Sequence, residues 1–126
     1  MAFSDRTDRS IREFARSMGL ALDPGPQSAY GFSFPRLGSF ILATAPQQRF
    51  IASLIFKVEP WQEGLEELLL TAAKSYSSAG HIPRVGLTGK NEVVLSVDMD
   101  DDEVTPQSLD QSLQQLLALR QSALGR

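Results

Sequence analysis

Cysteine is absent from the 126 residues. That excludes disulfides, thiolate nucleophiles and thiolate-bound zinc together, and it suits a reducing compartment. Histidine occurs once, at His81, with no second imidazole to share a metal or relay a proton. It therefore reads as a structural or solvated side chain. Apolar runs such as Leu68 to Leu70 fall far short of the ~20 residues that cross a bilayer, so no membrane insertion is expected. Asp5, Arg6, Asp8 and Arg9 break up the start of the chain and argue against a cleaved signal peptide. The expected location is the cytoplasm.

Hydrophobic residues make up 42% of the chain, enough for one core. With no repeat, low-complexity tract or linker, residues 1–126 read as a single domain. The net charge of −3 is unevenly spread. From Glu59 to Asp110 eleven acidic residues face only Lys74, Arg84 and Lys90, a local balance of −8. Such a surface repels phosphate backbones, so nucleic acid is not an expected partner. Arg6, Arg9, Arg12 and Arg16 recur at helical spacing, offset by Asp5, Asp8 and Glu13, and predict a solvated helix face of mixed charge.

Hydrophobic periodicity predicts an α+β fold in the order α-β-β-β-α-β-β-α. Ile11, Phe14, Ala15 and Met18 line a first helix that starts between Asp5 and Ser10 and stops at Gly19. Asp23-Pro24-Gly25-Pro26 is a rigid loop. Tyr30, Phe32 and Phe34 alternate with small residues, as do Phe40, Leu42 and Thr44 in a second strand. In the third strand, Phe50 to Val58 form one apolar face while Ile51 and Ile55 make the other face partly apolar too. A sheet with one solvated face lacks that second set.

Pro60 is expected to open a second helix lined by Leu65, Leu68, Leu69, Ala72, Ala73 and Tyr76 and ended by Gly80. A hairpin around Gly89-Lys90-Asn91 joins Arg84–Thr88 to Glu92–Met99. Thr105 caps a last helix carrying Leu109, Leu113, Leu116 and Leu117.

No catalytic constellation emerges. Gly31-Phe32-Ser33-Phe34-Pro35 misses the last glycine of a nucleophile elbow. Gly86 to Asn91 lacks the first glycine and the Ser or Thr of a phosphate loop. Asp98, Asp100, Asp101, Asp102 and Glu103 crowd together, but Glu103 and Leu109 stand where a calcium loop needs glycine and glutamate. Carboxylates ahead of a helix interact favourably with its positive end, and that is the reading adopted. Glu63, Glu66 and Glu67 form the wet face of the second helix. No enzyme activity, cofactor or metal is expected.

The element order resembles the class I type III secretion chaperones, most closely the SycN-type chaperones that serve the gatekeeper protein of the secretion apparatus. The likeness is carried by Leu65-Glu66-Glu67-Leu68-Leu69-Leu70-Thr71-Ala72-Ala73-Lys74, by Pro83-Arg84-Val85-Gly86-Leu87 and by Asn91-Glu92-Val93-Val94-Leu95-Ser96-Val97. It extends through Thr105 to Arg120, with the Gln114-Gln115-Leu116-Leu117 centre of the last helix. It covers the whole chain in pattern and mainly the second half in residues.

The resemblance implies an antiparallel twisted sheet backed by helices, a homodimer or a heterodimer with a second chaperone, and a secreted effector or gatekeeper protein as client. It implies cargo binding by Tyr30, Phe32, Phe34, Phe40, Leu42, Ile51 and Ile55. It implies dimer contacts through Leu65, Leu68, Leu69, Ala72, Ala73, Tyr76, Val85, Leu87 and Val94. Equally open at this point is that the same residues form one ordinary core. Two other functions also stay open: a dimerisation or regulatory adaptor without a secreted client, and a small enzyme or metabolite-binding domain using the acidic cluster.

Overall fold

The computed structural model describes residues 3–22, 29–76, 81–88 and 91–124. The Asp23–Pro26 loop, Gly80 and the Gly89-Lys90 turn lie outside the described residues. Three helices and five strands follow the expected order: α1 (Asp5–Ser17), β1 (Ala29–Phe34), β2 (Gly38–Ala45), β3 (Arg49–Lys57), α2 (Leu65–Ser75), β4 (Arg84–Leu87), β5 (Glu92–Asp100) and α3 (Pro106–Leu124). A short 3-10 turn, Asp101–Glu103, precedes α3.

The strands form one antiparallel sheet in the order β1-β2-β3-β5-β4. The β1–β2 connection needs Arg36 and Gly38 at positive φ. At Gly38 any Cβ would lie 2.3 Å from the Ile55 carbonyl oxygen, so only glycine lets β2 approach β3 there.

Helix ends follow local capping chemistry. The Ser4 hydroxyl accepts the Thr7 N–H at the start of α1, one residue ahead of the expected range. The Thr105 hydroxyl accepts the Ser108 N–H at 3.0 Å, and the Thr105 N–H donates to the Ser108 hydroxyl at 2.8 Å. This reciprocal pair starts α3 where the sequence places it. Two boundaries differ from expectation. Helix α2 starts at Leu65 behind Gly64 in the left-handed region, not at Pro60. Met18 is the C-cap of α1 and is exposed, because the helix face that meets the core ends at Ala15.

Helices α1 and α3 pack together on one face of the sheet, with α3 over β3 and β5 and α2 against α3 and β4. Between the layers lies one core. Phe14 meets Phe32 and Phe40 edge-on at 6.2 and 6.0 Å, and Phe3 stacks on Tyr30 at 5.4 Å. Phe50, Leu54, Leu95, Leu109, Leu113 and Leu116 are fully buried. Each such side chain stabilises the fold by roughly 1.5–3 kcal/mol.

Candidate functional site: the open sheet face and the outer side of the second helix

Strand alternation sorts the sheet residues onto two faces. On the covered face lie Tyr30, Phe32, Phe40 and Leu42, all buried in the core. They were expected to hold cargo. The structure corrects this: their side chains point to the helices and serve as core. Phe34, at the end of β1, is half-buried and packs against the rim of that core.

No described element covers the other face. Its register aligns Gly31, Ile41, Ser53 and Ser96 in one row across the sheet, and Ser33, Ser39, Ile55 and Val94 in the next. Ala29, Ala43, Ile51 and Asp98 form a third row. Small side chains thus alternate with branched aliphatic ones, giving a shallow trough with apolar bumps. Ile41 leans over β1, its Cδ1 standing 3.1 Å from where a Gly31 Cβ would be. Of the expected cargo residues, Ile51 and Ile55 stand on this face; the sequence pattern did not single out Ile41. Beside the trough, β1 is the edge of the sheet, and its outer backbone groups have no strand partner among the described residues.

An ion cluster closes one end of the trough. Arg49 bridges Asp98 at 2.7 Å and Asp100 at 2.6 Å, and Arg84 stands 3.7 Å from Asp98. The Arg49 hydrogen bond holds the Asp98 carboxyl below its ordinary range, overcoming the opposing effect of burial.

The second helix separates its residues more sharply than its leucine run suggests. Leu65, Leu69 and Ala73 are buried in the chain's own core, which corrects their expected place in a dimer contact. Their i, i+4, i+8 spacing aims them inward. Leu68 is 55% exposed and Leu70 48%, with Ile82 and Leu87 exposed as well. Ala72, Tyr76 and Val85 are half-buried at the edge of the core, while Val94 stands on the open sheet face.

Several of the titratable groups singled out in the sequence have structural partners. The Asp101 carboxylate accepts the Thr7 hydroxyl at 2.7 Å and the Ser4 hydroxyl at 2.9 Å. Arg6 donates to the Asp101 and Asp102 carbonyls at 3.0 and 2.6 Å. The acidic cluster therefore clamps the start of α1, a role beyond the expected interaction with the α3 N-terminus. Part of the expected solvated arginine face is likewise structural. Arg12 donates to Asp8 at 2.8 Å, and the Tyr30 hydroxyl donates to the same carboxylate at 2.6 Å. Burial alone would raise the Asp8 carboxyl, but the hydrogen bonds from Tyr30 and Arg12 outweigh it and hold the group low. Tyr30 is pushed up to about 12 by burial and by its bond to Asp8.

His81 Nε2 lies 3.2 Å from Glu103, and Gln115 donates to the Tyr76 and His81 carbonyls. These contacts tie the segment after α2 to α3. Among the described residues, no group of three or more His, Asp or Glu is placed to hold a metal, and no helix is long and apolar enough to cross a membrane.

No family model matches the chain, and no curated protein matches it in sequence. Solved structures do match in fold. The Yersinia pestis type III secretion chaperone SycH, in complex with a fragment of YscM2, superposes with a TM-score of 0.67 at 16% identity over 94% of this chain and 98% of its own. The chaperone of the HopA1–SchA chaperone–effector complex gives 0.68 at 14% identity, covering 93% and 92%. YbjN of E. coli, described as a putative transcription regulator, gives 0.62 at 12% identity, covering 93% and 90%. The chain has the α+β fold of the type III secretion chaperones.

Proposed function

We propose that this protein is a non-catalytic secretion chaperone of the cytoplasm. It holds an extended N-terminal segment of a secreted protein, an effector or a gatekeeper of the SycN-served kind, in a secretion-competent state. The observation that carries the reading is the uncovered sheet face. Ile41, Ile51, Ile55 and Val94 stand on it, and β1 is an edge strand of the sheet beside it among the described residues. An extended segment can add to such an edge through its main chain while its side chains settle among the apolar bumps. Likeness over nearly the whole chain to chaperones solved with their partners supports it.

In this reading two copies, or this chain and a second chaperone, pair through Leu68 on α2 together with Ile82 and Leu87, large apolar side chains that stand exposed. Residues 1–126 act as one unit. The test is co-expression with proteins from the same secretion system, followed by co-purification with wild type and with Ile55→Glu. The variant should stay folded and lose the client. A variant that folds and retains the client sinks the assignment of this face.

A second reading has its own support in the likeness to YbjN. A regulatory adaptor of the same fold would use the α2 surface and need no secreted client. Retention of a partner by Ile55→Glu, with loss on Leu68→Asp, favours that reading.

A further inference from the structure

Two stretches of this acidic chain carry cations and no acids. Between residues 24 and 58 there are Arg36, Arg49 and Lys57 but no Asp or Glu, and after Asp110 there are Arg120 and Arg126 but no Asp or Glu. Arg49 sits at the Asp98 end of β3 and is paired there. The fold gathers Arg36, Lys57 and Arg120 at the opposite end of the sheet, around a groove of about 440 Å³ whose apolar walls include Phe34, Leu37 and Phe56. Arg120 is built into this site. Its guanidinium lies 5.1 Å from the centre of the Phe56 ring and donates to the Arg36 carbonyl at 2.9 Å. Among the described residues Arg36 and Lys57 make no ion pair. Two acids stand nearby in the layout: Glu92, opposite Lys57, whose carboxylate accepts the Thr88 hydroxyl at 2.6 Å, and Glu59, which lines an adjoining pocket together with Lys57 and Arg120.

Arg36 and Lys57 beside an apolar wall, in a protein whose residues 59–110 carry −8, offer positive charge within surroundings of the opposite sign. We propose that this groove docks an acidic peptide segment of another protein. Its carboxylates pair with Arg36 and Lys57, and a bulky apolar side chain rests on Phe34 and Leu37. A small inorganic anion would satisfy the charges but leave the apolar wall wet. The groove shares Ser33 and Ser39 with the open-face row that carries Ile55, but Ile41, Ile51, Ile55 and Leu68 do not line it, so Ile55→Glu tests the client face and the groove's own cations test the groove.

The probe is a fluorescent peptide, Glu-Asp-Phe-Asp-Glu, titrated into the full chain and followed by anisotropy. Saturable binding is expected, weakening as salt screens the charges. The double variant Arg36→Glu/Lys57→Glu should lower affinity about tenfold, equal to about 1.4 kcal/mol. Replacing the peptide's acids by their amides, or its Phe by Ala, should weaken it as well. Amide shift changes on the wild-type protein should fall at Phe34, Leu37 and Phe56, which keeps the test sharp should the double variant misfold. Four results overturn the proposal: no saturable binding, equal binding of the amide peptide, displacement by inorganic phosphate as effective as by unlabelled peptide, or a change in oligomeric state on charge reversal. The last would assign the groove to a second copy of this chain.

Discussion

The two faces of the sheet come from the same five strands and the same alternation, yet they differ in what they can do. Along β3 the residues Phe50, Ala52, Leu54 and Phe56 are buried, while Ile51, Ser53 and Ile55 between them are only half-buried. The helix-covered face uses aromatic bulk to fill the space under α1 and α3. The open face uses small and branched residues that keep its surface shallow. Bulk therefore marks the face that makes the fold, and shallow apolarity marks the face left over for a partner. Much the same division runs along α2, where adjacent leucines point to opposite fates.

The largest test of this contrast is on the covered face. Phe40→Ala should cost about 3–5 kcal/mol, since it leaves a cavity next to Phe14. Phe32→Glu should unfold the chain outright by burying an unpaired charge. Ile51→Ala on the open face should cost much less, because its side chain is already half in water. Denaturant melts of the three variants rank the faces. Equal losses for Ile51→Ala and Phe40→Ala would show that the open face is also core.

Element order and type were readable from the sequence because period 2 and period 3.6 are strong signals in strands and long helices. Which strand face the helices cover was not. Tyr30, Phe32, Phe40 and Leu42 are as apolar as a cargo site would be, and only packing assigns them to the core. Ile51 and Ile55 were readable as a second apolar face of the third strand, but the alignment of Ile55 with Val94, expected in a dimer contact, depends on the β3–β5 register, which the sequence does not print. The roles of Asp101 and Thr7 were hidden for a similar reason. They meet across 94 positions of chain.

The contrast within α2 is sharpened by a pair of neighbours. Leu69→Asp should unfold the protein, as the side chain is fully buried. Leu68→Asp combined with Leu87→Asp should leave the melt nearly unchanged and shift a dimer to monomer in light scattering. A wild type that is monomeric at micromolar concentration, with no second chaperone bound, removes the pairing surface from the proposed function.

Polar contacts that fasten α1 to the rest come next in size. Asp101→Asn weakens the acceptor of the Ser4 and Thr7 hydroxyls and should cost about 1–2 kcal/mol. Its effect should appear in the melt and leave the open face's partner binding intact in the folded fraction. Loss of partner binding by a fully folded Asp101→Asn would mean that the acidic cluster belongs to the client site.

The smallest expected effect separates Tyr30 as a fastening from Tyr30 as a contact for cargo. Its hydroxyl donates to Asp8, which Arg12 also holds, and its ring stacks on Phe3. In the folded chain the phenol is pushed up to about 12, above the ordinary value of 10.0, by burial first and then by the carboxylate it serves. A phenol whose folded value is raised contributes stability that is fully present below the unfolded value and is lost as the pH climbs through the folded one. The window is therefore pH 10 to about 12. Asp8 acts at the other end: its lowered carboxyl contributes stability above the ordinary carboxylate range, lost as the pH falls through the folded value. Tyr30→Phe keeps the ring and removes both the phenol and one of the bonds that hold Asp8 low. Its melting temperature relative to wild type should be lower at neutral pH, and the gap should close between pH 10 and about 12 as the wild-type phenol ionises. It should also narrow in acid as Asp8 protonates. A gap that stays constant across the alkaline window would show that the hydroxyl contributes nothing to holding β1 against α1.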